Sequence, residues 1–274
     1  MDVVDRHGWT EGMTISVEGL HVAFRVDRPG VLDRVYGVLP PGWKPSDRVE
    51  VRRLYSLRVG GEGKHRGHHL YHVLYMNASR IERSVDLEYI LDRLEADVQL
   101  YVAERARRRI FVHAGVVGWQ GKAILLPGRT LTGKTTLVTE LLRLGATYYS
   151  DEYAALDRKG RVHPYARPLS VRRGAADPRP ARPTAGDFGA EVGQKPLPVG
   201  LVAFTHYKPG VRWRPRGLTA GKGILSLLEN TVPARSRPKA CLATLRQVVA
   251  VARVVKGARG EAREMAEALL ARVD

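Results

Sequence analysis

The sequence predicts an α/β fold in which a P-loop domain follows a small α+β domain, and three observations predict it. From residue 110 onward, apolar runs alternate with stretches of helical periodicity. Among them "GRTLTGKT", Gly128 to Thr135, has phosphate-loop spacing and stands between the apolar "AILLP" and the helical "TLVTELLRLG". Ahead of residue 108, short alternating runs lead into one long amphipathic stretch, which divides the chain into domains 1–108 and 109–274.

The elements follow in order. "TISVEGLHVAFRV", residues 14–26, alternates apolar and polar around a Gly and reads as two short strands or one bent strand. After the turn-rich "LPPGWKPSDR", the stretch "VEVRRLYSLRVGGEGKHRGHHLYHVLYMN" reads as a hairpin with a glycine-rich tip. His65, His68 and His69 in that tip lack partner ligands at metal spacing and read as polar loop residues. From Asp86 to about Arg108, residues Leu87, Ile90, Leu91, Leu94 and Val98 recur at helical spacing. "IFVHAGVVGW" and "KAILLPG" then read as strands, 134–144 as a helix, 146–150 as a strand and 157–160 as a loop. An Arg/Pro/Gly-rich segment leads to the strand "VGLVAFTHY", a basic turn, helices near 222–231 and 238–255, and a last helix, "EAREMAEALLARV".

Composition limits the partners. No run approaches the length of a membrane span and the N-terminus has no signal pattern, so the chain reads as cytoplasmic with no membrane partner. Cys241 is the single cysteine, which excludes an internal disulfide and a cysteine-based zinc cluster. The net charge of +17 favours polyanions: nucleotides, acidic peptides or nucleic acid. No stretch interleaves aromatic and basic residues as a stacking platform and no recognition helix stands out, which argues against nucleic acid.

The glycine loop has specific chemical demands. Its backbone must wrap a polyphosphate with amides pointing inward at a helix N-terminus, where orphan N–H groups and the helix dipole favour an anion. Gly128 and Gly133 permit the turns, Lys134 sets a point charge against the β- and γ-phosphates, and the Thr135 hydroxyl reaches Mg²⁺. Thr130, Thr132 and Thr136 complete the nucleotide-binding set, with ATP as the ligand. Asp151 and Glu152 follow Lys134 by seventeen and eighteen residues, past one helix and one strand. That spacing puts them at the carboxyl end of a strand beside the phosphate crevice and favours phosphoryl transfer to a hydroxyl. A helix N-cap or a solvated turn is the other reading of the pair.

These residues, "HAGVV…AILLPGRTLTGKTTLVTELLRLGATYYSDE", resemble the catalytic domain of bacterial HPr kinase/phosphorylase over about residues 110–157. The resemblance implies a fold related to phosphoenolpyruvate carboxykinase and phosphorylation of a protein serine with Mg²⁺ and a nucleotide. By position it implies that Gly128, Gly133, Lys134 and Thr135 bind phosphate and metal, and that Asp151 takes the proton from the attacking hydroxyl. Glu152 stands where the family has a second aspartate and would support the base or the metal. His113 matches the family's histidine near the reacting phosphate, and a strand histidine with a satisfied ring fits it equally. The family's Glu-Ile-Arg-Gly stretch has no clean counterpart, which weakens any implication of phosphorylase activity. In its region "GAEVGQKPLPVG" offers Glu191 as a second metal-directed acid and Lys195 as a phosphate contact.

The whole chain is similar to the HPr-kinase-related proteins of lasso-peptide clusters, on "YARPLSVR", "KPLPV" and "NTVPARSRP". Their substrate is a precursor peptide, typically modified at a C-terminal serine. An arginine-rich segment at 161–183 and a basic hairpin at 206–216 suit an acidic peptide or small protein, and the arginine-rich segment reads as a lid over the site. Asp151 beside lysine and magnesium is expected to keep a low pKa and stay ionised. Two other readings stay open: a small-molecule hydroxyl kinase, and a non-catalytic nucleotide-responsive regulator. The N-terminal domain reads as a substrate-recruiting module or a homo-oligomer surface.

Overall fold

Turn chemistry and alternation build the first unit. The structure, a computed structural model, describes residues 3–61, 71–128, 133–171 and 180–273. Its chain separates into two units, Met1–Arg108 and Arg109–Asp274. The loop histidines His65, His68 and His69 lie outside the described residues.

In unit 1, β1 (Glu11–Val17) and β2 (Leu20–Val26) pair antiparallel across a tight turn, so the 14–26 stretch is a hairpin and not one bent strand. A short helix α1 (Val31–Tyr36) and a two-residue strand β3 (Lys44–Pro45) precede β4 (Arg53–Arg58) and β5 (His72–Met76), which pair as the expected hairpin. A further strand β6 (Ser79–Ser84) extends the sheet to the order β3-β1-β2-β4-β5-β6. Helix α2 (Leu87–Arg105) begins where Asp86 accepts the N–H groups of Glu88 and Tyr89 at 2.9 and 3.3 Å, satisfying two otherwise orphan donors. Its apolar face, Ile90, Leu91, Leu94, Val98 and Val102, is buried. The Tyr55 hydroxyl donates to Asp97 at 2.5 Å, which ties α2 to β4.

In unit 2 the long strand β7 (Ile110–Trp119) pairs antiparallel with β8 (Lys122–Pro127). Helix α3 (Lys134–Arg143) leads to β9 (Thr147–Ser150), and β10 (Tyr153–Leu156) with β11 (Val162–His163) forms a short hairpin. Then come β12 (Val199–Tyr207), β13 (Arg216–Gly217), α4 (Ala220–Leu228), α5 (Pro238–Val251), β14 (Arg253–Arg259) and α6 (Ala262–Leu270). The sheet order is β11-β10-β7-β8-β12-β14-β13, with β9 also on β7, and β8, β12 and β14 run parallel. Side chains alternate across this sheet. Ile124, Leu126, Leu201, Ala203 and Val255 pack with α3 and α6, whereas Ala123, Leu125, Val199, Val202 and Val254 pack with α4 and α5. The unit is thus α/β with helices on both faces.

One expectation fails here. The helix proposed for 238–255 ends at Val251, and "RVVKGAR" is β14 in the interior of the sheet. Val254 and Val255 bury opposite faces, a demand that only a strand meets. Among the described residues no helix is long and apolar enough to cross a membrane.

Asp157 closes the turn between β10 and β11. Its carboxylate accepts from the N–H groups of Lys159 and Arg161 at 2.9 and 3.0 Å, from Arg161 Nε at 2.9 Å, and stands 3.1 Å from His163 Nε2. Partial burial pushes its pKa up, and the His163, Arg161 and Lys159 contacts outweigh this and leave it lowered. A depressed carboxylate contributes stability above the ordinary aspartate range and loses it as pH falls through the folded value. Asp157→Ala should therefore lose on the order of 2 kcal/mol at pH 7. The deficit should shrink toward zero in acid; urea denaturation at several pH values checks this, and a pH-independent deficit would exclude the electrostatic origin.

Candidate functional site

The register of β7 assembles the site. Ala114 lies opposite Pro127, the last residue of β8, while β9 reaches Val116 with Ser150 and β10 starts opposite His113 with Tyr153. Asp151 and Glu152 form the step between β9 and β10, so they fall beside Ala114, whose N–H donates to the Glu152 carbonyl at 3.1 Å. The Gly128 N–H donates to the His113 carbonyl at 3.2 Å, and the His113 N–H donates to Asn230 at 2.8 Å. The end of β8, the acid pair and His113 therefore share one level of the sheet, at the carboxyl ends of β8 and β9.

Gly133 caps α3 in the left-handed conformation with φ 79°, a geometry favouring glycine, and no side chain caps this helix end. A Cβ at Gly115 would approach Val138 to 2.7 Å, so the small residue lets α3 lie directly on β7. The Thr135 hydroxyl then lies 3.4 Å from Asp151 Oδ2. Thr136 is exposed on the same turn. Lys134 is half-buried; burial lowers its pKa, against the opposing pull of Glu152 and Asp151. Thr130 and Thr132 lie outside the described residues.

Asp151 is buried, with 6 % of its surface exposed. The Tyr148 hydroxyl reaches its Oδ1 at 3.1 Å and the Ser170 N–H donates to Oδ2 at 3.2 Å. Burial raises its pKa, and the lowering effects of Ser170, Tyr148 and Arg167 do not overcome it. The expectation of a low Asp151 pKa is thus reversed for the protein alone: desolvation of a carboxylate outweighs its hydrogen bonds. Glu152 goes the other way. Burial pushes its carboxyl up, but His113, Lys134 and Arg167 hold it lowered. His113 Nδ1 stands 3.6 Å from Glu152 Oε1, and its ring lies 4.7 Å from the Tyr153 ring.

Glu191 stands apart from this group. Its side chain is exposed and its carbonyl accepts from Tyr148 N at 2.8 Å, three residues upstream of Asp151. Among the described residues no three His, Cys, Asp or Glu side chains cluster to hold a metal, so Glu191 does not complete such a set with Asp151 and Glu152. Lys195 is exposed and its carbonyl accepts from Tyr149 at 2.7 Å. In the 161–183 segment, Arg167 accepts the Tyr148 hydroxyl on its carbonyl at 2.9 Å, and 172–179 lie outside the described residues.

Sequence reasoning missed Tyr148, the Ser170 amide and Arg259. Arg259, 4 % exposed, donates from Nη2 to the Gly133 carbonyl at 3.2 Å. The Thr135 hydroxyl is a hard donor of the kind Mg²⁺ takes, with phosphates filling its other positions, and the Asp151 carboxylate beside it favours a cation there. The half-buried Lys134 at an uncapped helix start fits an anion.

A raised carboxylate pKa means that ionised Asp151 costs stability above the ordinary aspartate range. Asp151→Asn keeps an acceptor for Tyr148 but turns an amide NH2 toward the Ser170 N–H and the Thr135 hydroxyl, a cost that does not change with pH. The cost of the charge does change: in metal-free buffer the wild type should gain Tm relative to Asp151→Asn as pH falls from 7, and calorimetry showing a pH-independent difference would overturn the assignment. The chain matches no protein-family model and no curated protein.

Proposed function

We propose that unit 2 is a P-loop kinase domain of the HPr kinase/phosphoenolpyruvate carboxykinase type. It transfers the γ-phosphoryl group of ATP to a hydroxyl, that of a serine in an acidic peptide or small protein. The observation that carries this reading is the contact between Thr135 and Asp151 at 3.4 Å, because it joins the helix start of a phosphate loop to a buried acid.

The steps follow from the chain's own groups. The α3 N-terminus and Lys134 hold phosphate oxygens, and the work on the transferring group is mainly positioning and electrostatics. Asp151, held by the Tyr148 hydroxyl and the Ser170 amide, orients the acceptor hydroxyl and takes its proton. The new bond joins the acceptor oxygen to the γ-phosphorus while the bond to the β-phosphate oxygen breaks, and ADP leaves. Tyr148 and the Ser170 amide fix the Asp151 carboxylate, and His113 fixes Glu152. Mg²⁺ bound with the nucleotide would neutralise phosphate charge.

Incubation with labelled ATP, Mg²⁺ and three acceptor panels tests the proposal: acidic serine peptides including natural-product precursors, small hydroxylated metabolites, and no acceptor with duplex DNA. Label in peptide serine is the expected result. Label in a metabolite would instead make this a small-molecule kinase, and salt-sensitive duplex binding without transfer would make it a regulator. Lys134→Ala should abolish transfer and weaken nucleotide binding. Asp151→Asn should lower turnover by about 10²- to 10⁴-fold with binding largely kept, and wild-type turnover would remove the base assignment.

A further inference from the structure

Arg259, at the end of β14, is a buried cation whose partners do not neutralise it. Nη1 donates to the Gly260 carbonyl at 3.1 Å and Nη2 to the Gly133 carbonyl at 3.2 Å, both neutral acceptors. The guanidinium carbon lies 5.3 Å from the Tyr207 ring centre. Nε is buried and has no hydrogen-bond partner among the described residues. The acid acting on it is Glu261, whose carboxylate accepts from the Tyr207 hydroxyl at 2.9 Å. Arginine does not shed its proton in proteins, so the charge stays. An uncompensated buried charge is costly, and replacing it by an apolar residue of similar volume is often stabilising.

The location supplies the missing term. A Cβ at Gly133 would come within 2.4 Å of Arg259 Nη2, so the guanidinium lies directly behind the residue that starts α3. That helix start has no side-chain cap and no acid in its first turn, and it carries Lys134. Helix dipole, Lys134 and Arg259 therefore all add positive potential at the start of α3.

We infer that Arg259 is the charge-coupled anchor of the phosphate site: it pins the Gly133 carbonyl, and a polyphosphate bound at the α3 N-terminus supplies the counter-charge its buried guanidinium lacks. The inference rests on the P-loop reading above. It makes Arg259 a positioning residue whose effect grows with the negative charge of the ligand.

The test uses the full chain, calorimetric titration with ATP, inorganic tripolyphosphate and adenosine, and thermal unfolding without ligand. Arg259→Met should unfold at a temperature no lower than wild type, yet bind ATP and tripolyphosphate about tenfold or more weakly. Adenosine binding should be unchanged, and Arg259→Lys should recover most of the loss. A mere structural clamp would give the opposite pattern. If Arg259→Met is destabilised or fails to fold, or loses affinity for all three ligands alike, the inference is overturned. It is also overturned if Arg259→Met binds tripolyphosphate like wild type while Lys134→Ala does not. If the wild type binds neither ATP nor tripolyphosphate, the P-loop reading itself fails.

Discussion

The pairing of one strand on two sides fixes the rest of unit 2. β7 takes β8 along one edge and, along the other, β9 followed by β10. Two strands that share an edge end to end leave a step between them, and the step contains Asp151 and Glu152. Because β8 ends opposite the same point of β7, Pro127 and Gly128 fall at the same level of the sheet as the acid pair. The glycine at 115 completes the arrangement by letting α3 settle on β7 at Val138, which brings Thr135 to Asp151.

Burial does different work on the two acids. Asp151 sits under Tyr148 and the 164–171 segment and is pushed toward the protonated form, whereas the half-exposed Glu152 is held ionised by His113, Lys134 and Arg167. Two adjacent carboxylates with opposite displacements have separate roles. On the proposed reading, Asp151 is the group that receives a proton and Glu152 the group that remains charged.

Much of this was legible from local pattern, and the remainder depended on distant pairing. Strand, loop and helix around Gly128–Thr135 announce themselves by spacing, and Asp86 marks the start of α2 by its capping chemistry. β14 was not legible, because "VARVV" continues the apolar rhythm of α5 and becomes a strand only by lying between β12 and β13. Losing β14 meant losing Arg259: in a chain so rich in arginine, only its place at a strand's carboxyl end before a helix would have singled it out. The Ser170 amide has no side-chain signature at all. The low pKa expected for Asp151 failed because sequence reports neighbours along the chain but not the depth of burial.

The two buried charges explain each other. Asp151 is a carboxylate made unfavourable by desolvation, and Arg259 is a guanidinium bonded only to neutral carbonyls; each contacts a residue at the start of α3. They do not cancel, since one contacts Thr135 and the other lies behind Gly133. A ligand that compensated only one would leave the other's cost in place. A polyphosphate together with a divalent cation carries both complementary signs, the anion toward Arg259 and Lys134 and the cation toward the Thr135 hydroxyl beside Asp151. On that account the two components bind with mutual reinforcement, because each removes repulsion or desolvation that the other alone would face. Nucleotide affinity that fails to rise with magnesium would then separate the two charges, leaving Arg259 to the phosphate and Asp151 to the acceptor hydroxyl alone.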